Sequence, residues 1–114
     1  GADIPLLEEN SDMQHVLLEM TSKRLGCVGF INSDGRLTGM LTDGDLRRCM
    51  SADIFNRKAF ELMTRNPKTV AKEIMASEVL KIMNDKKITN IFVVENNKPV
   101  GVVHIHDLLN QGVA

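Results

Sequence analysis

Tryptophan and tyrosine are absent, and the 114 residues hold only four phenylalanines. A core so poor in rings must be filled by aliphatic and thioether side chains, and seven methionines suit that role. An excess of one charge is missing too: the formal net charge is −1, which leaves no electrostatic footprint for nucleic acid. No stretch approaches the roughly 20 apolar residues that cross a bilayer, and the first residues carry no export-signal pattern. Cysteine is limited to Cys27 and Cys49, without metal-ligand spacing. Both read as reduced core thiols, as expected of a cytoplasmic protein. There is no Walker loop and no dinucleotide glycine fingerprint. No histidine or nucleophile is tied to a carboxylate by a local motif, so catalysis finds little support.

What is present is a repeat. Gly39-Met-Leu-Thr-Asp-Gly-Asp-Leu46 returns as Gly101-Val-Val-His-Ile-His-Asp-Leu108, with glycine, aspartate and leucine kept 62 positions apart. Upstream, Val16, Leu17, Met20 and Lys23 match Val79, Leu80, Met83 and Lys86 at a spacing of 63. The one-residue change falls between these blocks, where a turn is expected. A period this long, used twice, is not a common solenoid unit. It predicts two copies of one small α/β unit, each marginal alone. The first copy covers residues 1–58 with its connector and the second residues 59–114.

Periodicity predicts the elements. Ile4-Pro5-Leu6-Leu7 reads as extended, and Ser11 with Gln14 has capping-box spacing. Met13, Val16, Leu17 and Met20 form one apolar helix face, stopped near Gly26. Strands follow at 27–31 and 37–42 around an Asp34-Gly35 turn, with a helix beginning near Leu46. Ser51 to Arg57 reads as connector, followed by a short helix from Ala59 to Met63. The second copy repeats the order: Thr69-Val70, a stripe of Ala76, Val79, Leu80 and Met83, then a β-branched strand from Ile88 to Val94. An Asn96-Asn97 turn leads to a strand from Val100 to His104, and His106-Asp107 opens a last helix ending near Gly112. The second copy has a lead-in, Ala59 to Thr64, for which the first has no room, so the chain is expected to be a C-terminal piece of a longer protein.

The repeated polar motif carries the chemistry. A strand ends at Thr42 and a helix begins just beyond, where free backbone N–H groups favour phosphate. A threonine hydroxyl there can donate to a phosphate oxygen, and Asp45, an acceptor only, can take two adjacent sugar hydroxyls. Simple helix capping by Thr42 or Asp43 accounts for the same residues. Arg47 and Arg48 follow, either to clamp a phosphate or carboxylate or as a solvated helix face. In the second copy His104 replaces Thr42; it can still donate to an anion, or fill the space and abolish binding. His104 with His106 lacks an evident third ligand for a metal, and His15 reads as a surface residue.

Two copies ending in Gly-h-h-(Thr/Ser)-x-x-Asp (h apolar), with Met63-Thr64-Arg65-Asn66-Pro67 between them, resemble a tandem pair of cystathionine-β-synthase (CBS) domains over the whole chain. That resemblance implies an α/β (α+β) fold of two pseudo-twofold-related βαββα-type units. It implies clefts for adenosine-type nucleotides and pairing of such modules into homodimers. The 41–48 and 104–109 segments, with Ile88-Thr89-Asn90 between them, also resemble the C-terminal half of D-arabinose 5-phosphate isomerases. Those enzymes interconvert ribulose 5-phosphate and arabinose 5-phosphate on the way to the sugar acid Kdo of lipopolysaccharide or capsule. Their catalysis belongs to a sugar-isomerase (SIS) domain not contained here, so this segment is expected to be non-catalytic and to need no cofactor.

Position by position, the resemblance makes Thr42 and Asp45 the phosphate and ribose contacts of the first copy, and Asp107 that of the second. Thr89 and Asn90 match the strand beside base or ribose, and Thr69 and Val70 the lead-in next to it. His104 departs from the usual Ser/Thr, and Phe92 stands near a position often held by proline. The expected ligand is AMP, ATP or, given those departures, CMP-Kdo, which carries ribose, phosphate and a sugar carboxylate. The rival expectation is an oligomerisation module with empty clefts.

Overall fold

Two turn signals, five residues wide in one hairpin and two in the other, organise the computed structural model, which describes residues 4–23 and 26–110. The chain divides into two compact units, Pro5–Pro67 and residues 68–110 with Ile4. The first unit runs β1 (Leu6–Glu8), α1 (Met13–Lys23), β2 (Cys27–Ile31), β3 (Leu37–Thr42), α2 (Asp43–Arg48), a 3-10 turn at Ile54–Asn56, α3 (Ala59–Leu62) and β4 (Thr64–Arg65). Its sheet has the order β1-β2-β3-β4, with β1 parallel to β2 and the other pairs antiparallel. The second runs β5 (Thr69–Ala71), α4 (Ala76–Lys86), β6 (Asn90–Glu95), β7 (Lys98–His104) and α5 (Ile105–Asn110). Its sheet has the order β5-β6-β7, with β5 parallel to β6 and β7 antiparallel. The mixed α+β reading and the doubled βαββα order stand.

The one-residue shift of the repeat is located in the hairpins. Ile31 pairs with Leu37, leaving five residues between; Val94 pairs with Pro99, leaving four. In the first, Gly35 takes φ +80°, and the Asn32 side-chain oxygen accepts from Asp34 and Arg36 N–H, each at 3.0 Å. In the second, Asn96 and Asn97 take φ 54° and 65°, the left-handed pair that matches strand twist in a tight hairpin. The register irregularity at Phe30/Ile31 recurs at Val93/Val94.

Each unit buries most of its predicted helix stripe, with Leu17 half-buried and Ala76 exposed. Met13, Val16 and Met20 of α1 pack with Val28, Phe30, Leu41, Ile54, Ala59 and Met63. Val79, Leu80 and Met83 of α4 pack with Val70, Ile91 and Leu108. Ala59 and Met63, counted by the repeat with the second copy, thus bury in the first unit. A Cβ at Gly39 would overlap the Met63 thioether, so a side chain there would oblige Met63 to shift.

Two helix starts and the setting of one cysteine differ from expectation, and β6 begins two residues later and β7 two residues earlier than expected. Helix α1 starts at Met13 without a Ser11 cap: Met13 N–H donates to the Arg57 carbonyl at 3.0 Å, and Asp12 bridges Lys58, so the connector satisfies this end. Helix α2 starts three residues before Leu46, because Thr42 caps it. Cys49 is the half-buried C-cap of α2 and not a core thiol. The predicted stop at Gly112 lies outside the described residues. No helix among the described residues is long and apolar enough to cross a membrane.

Candidate functional site

The strand β3 delivers Thr42 in extended conformation (φ −104°, ψ 169°) directly into α2. Its hydroxyl accepts from Asp45 N–H at 3.1 Å, and Asp45 Oδ2 accepts from Thr42 N–H at 3.1 Å. This reciprocal capping box satisfies two donors that a helix start leaves open. Arg48 Nη2 reaches back one turn to form an ion pair with Asp45 Oδ1. Asp45 is 25% exposed and Arg48 73% exposed, so the pair stands at the surface. A Cβ at Gly44 would lie at ordinary contact distance from this group, 3.4 Å from Arg48 Nη1 and 3.8 Å from the Thr42 hydroxyl. Hydroxyl, carboxylate and guanidinium are therefore gathered around one glycine.

In the second unit Asn90 of β6 pairs in register with His104 of β7, as Cys27 pairs with Thr42 in the first. His104 Nδ1 accepts from His106 N–H at 3.1 Å, doing for α5 what the threonine hydroxyl does for α2. Its proton then sits on Nε2, which is left as a donor. The two imidazoles stack with centroids 4.9 Å apart and planes at 22°. Buried Asn90 donates through Nδ2 to the Thr89 hydroxyl at 3.1 Å, and Ile105 N–H donates to the Thr89 carbonyl at 2.9 Å. Asp107 is exposed, with no hydrogen-bond partner among the described residues. Thr69 and Val70 lie opposite Phe92 and Val93. Val70 is a core residue, so only its backbone is available to a ligand. The nine candidates thus form two sets: Thr42, Asp45 and Arg48 in one unit, and Thr69, Val70, Thr89, Asn90, His104 and Asp107 in the other.

Cys27, paired with Thr42 across the sheet, adds no reactive group to the first set. Burial, with the Asp43 carboxylate adding to it, pushes the Cys27 thiol up to about 11. No group of three or more metal-ligating side chains gathers among the described residues. A shallow hollow of about 230 Å³ lined by Glu8, Glu9, Asn10, Ile31, Asn32 and Ser33 sits at the opposite end of β2 from Thr42. Its two carboxylates make it a poor place for phosphate.

Comparison with known families finds the CBS domain twice in this chain, at residues 2–52 and 59–113. The chain belongs to the CBS domain family. This CBS pair is 41% identical over 116 residues to the arabinose 5-phosphate isomerase KdsD of Pseudomonas aeruginosa, covering 99% of the chain and 36% of that enzyme. It is 42% identical over 114 residues to the uncharacterized protein RP505 of Rickettsia prowazekii, covering 100% of the chain and 36% of that protein. The CBS pair thus spans little more than a third of these relatives. Among solved structures it is similar to CBSX2 in complex with AMP, with a TM-score of 0.85 at 15% identity, covering 97% of this chain and 88% of that one. It is also similar to the CBS domain pair of MJ0100 in complex with 5-methylthioadenosine and S-adenosyl-L-methionine, with a TM-score of 0.82 at 21% identity, covering 94% and 86%. At these identities the likeness establishes the fold.

Proposed function

We propose that this CBS pair is the non-catalytic regulatory part of a cytoplasmic D-arabinose 5-phosphate isomerase, and that it senses a nucleotide-type ligand. The observation that carries the reading is the Thr42–Asp45–Arg48 group: a hydroxyl, a half-buried carboxylate and a guanidinium at one strand-to-helix junction. That set answers a phosphorylated ribose, with the diol on the carboxylate and the phosphate on the cation and hydroxyl. The relationship to KdsD and the fold shared with nucleotide-bound CBS pairs support it. A SIS catalytic domain elsewhere in the parent chain carries the interconversion of ribulose 5-phosphate and arabinose 5-phosphate. Ligand controls it by binding two arrangements of the module with different affinity. CMP-Kdo, the activated product of the Kdo route, is the preferred ligand; AMP and ATP are the adenosine alternatives.

Thermal denaturation of the chain with AMP, ATP, CMP and CMP-Kdo tests this. A ligand at 100 times its dissociation constant adds about 2.7 kcal/mol, a shift of several degrees for a small domain. Stabilisation by CMP-Kdo alone supports end-product sensing, and stabilisation by adenosine nucleotides alone supports energy sensing. A second reading is an oligomerisation module with empty clefts. It is favoured by the capping box, which satisfies Thr42 and Asp45 internally without any ligand. Stable homodimers by sedimentation with no response to any nucleotide would decide for it.

A further inference from the structure

We propose that the stacked pair His104 and His106 is an acid-sensitive cap on α5: a proton on His104 releases the first turn of that helix, while the matching turn of α2 keeps its cap. The device needs no bound ligand and is independent of the nucleotide reading. At the start of α5 the His106 N–H donates to His104 Nδ1 at 3.1 Å. A ring nitrogen accepts a hydrogen bond only while it carries no proton. An imidazolium donates from both nitrogens, so turning the ring over does not restore the bond. One proton thus turns the acceptor into a second donor facing the backbone N–H. It also places a cation at a helix end whose free N–H groups disfavour one.

The second ring acts in the same direction. His106 stacks on His104 with centroids 4.9 Å apart and planes at 22°. Neutral rings tolerate this distance, whereas two imidazoliums repel. Histidine changes charge between about pH 5 and 8, so both effects fall in one mild range. Asn90, opposite His104 on β6, is buried and carries no charge. Asp107 follows His106 on α5 and is exposed. Helix α4 packs on α5 through Val79, Leu80, Met83 and Leu108. Its charged side chains Glu78, Lys81, Asp85 and Lys86, and Lys87 at its C-cap, are exposed, and Lys81 pairs with Asp85. Among the described residues, no ion pair or hydrogen bond joins any of these groups to either ring. The repeat supplies the contrast. Helix α2 is capped by the Thr42 hydroxyl, which has no proton to gain in this range. Acid therefore acts on one unit, and it reaches that unit's core because α5 carries buried Leu108.

Urea denaturation of wild type, His104→Thr and His106→Ala at about pH 7.5 and about pH 5.5 tests the device. Threonine brings back the hydroxyl cap of the repeat and removes the titrating acceptor. His104→Thr is therefore the reference for every other group that titrates here, His15 included. A cap of this kind is worth about fivefold in the folding equilibrium constant. On acidification wild type should lose about fivefold more than His104→Thr. His106→Ala keeps the donating N–H, so its loss should fall between the two. Equal losses in wild type and His104→Thr overturn the proposal, as does a loss in His106→Ala no larger than that of His104→Thr. Nitrogen-15 resonances of the wild-type rings give a reading that needs no variant. At about pH 7.5 His104 should carry its proton on Nε2, and the His106 amide should shift in step with the His104 ring as pH falls. A proton on Nδ1 at the higher pH, or an amide that does not follow the ring, overturns it equally.

Discussion

The Cys27 thiol, pushed up to about 11 from its ordinary value of 9.0, is held neutral by burial and by Asp43. Only the thiolate reacts, so alkylation of Cys27 in the folded protein should be about 100-fold slower than that of an unperturbed thiol. Half-buried Cys49, at the C-cap of α2, should be labelled first; mass spectrometry of a short iodoacetamide reaction reads the order. Equal labelling would mean that Cys27 is not enclosed. The same shift has a stability consequence. The folded state holds the proton more tightly than the unfolded chain, so this contribution is complete below pH 9.0 and is lost as pH rises through about 11. Denaturant midpoints at pH 8 and pH 10.5 should differ more for wild type than for Cys27→Ala. The strand position of Cys27 was legible in the sequence. The raised thiol was not, because the enclosure of Cys27, and after it the approach of Asp43, arises only when β3 pairs with β2.

At the scale of the element, α2 and α5 show how one junction is capped by two chemistries. Thr42 uses a hydroxyl three residues from its partner N–H, while His104 uses a ring nitrogen two residues from its own. A cap of this kind is worth about 1 kcal/mol. His104→Ala should therefore destabilise the chain by about that amount, and His104→Thr should recover most of it through the repeat's own hydroxyl. Chemical denaturation of the three proteins measures this. If His104→Ala is neutral, the imidazole is not the cap. The sequence marked both junctions through the 62-residue repeat but left capping and ligand binding open at each. Hydrogen-bond geometry shows that capping is real in the free chain. It does not exclude a ligand, because a cap residue at the surface can exchange partners.

At the scale of the molecule, the two units repeat their topology but not their candidate sites. The first offers Thr42, Asp45 and Arg48 around Gly44; the second offers His104, Asn90 and an exposed Asp107, with His106 in place of that glycine. Loss of the cation and the crowding by a second ring both disfavour phosphate there. Calorimetry with AMP should therefore find one tight site per chain. Asp45→Ala should remove it, and Asp107→Ala should leave it. Two equal sites, or loss on Asp107→Ala alone, would reverse this assignment.

Helix stripes, turn residues, the repeat and its family resemblance were determined by the sequence itself, because each depends on neighbours within about a turn or on the chain's likeness to itself. The connector as the anchor of α1, the burial of Ala59 and Met63 in the first unit, the close passage of Met63 over Gly39, and the enclosure of Asp45 by Arg48 were decided only by tertiary structure. The first three join residues far apart along the chain, and in the last it is the rotamer of an exposed arginine that decides. No local pattern carries that information.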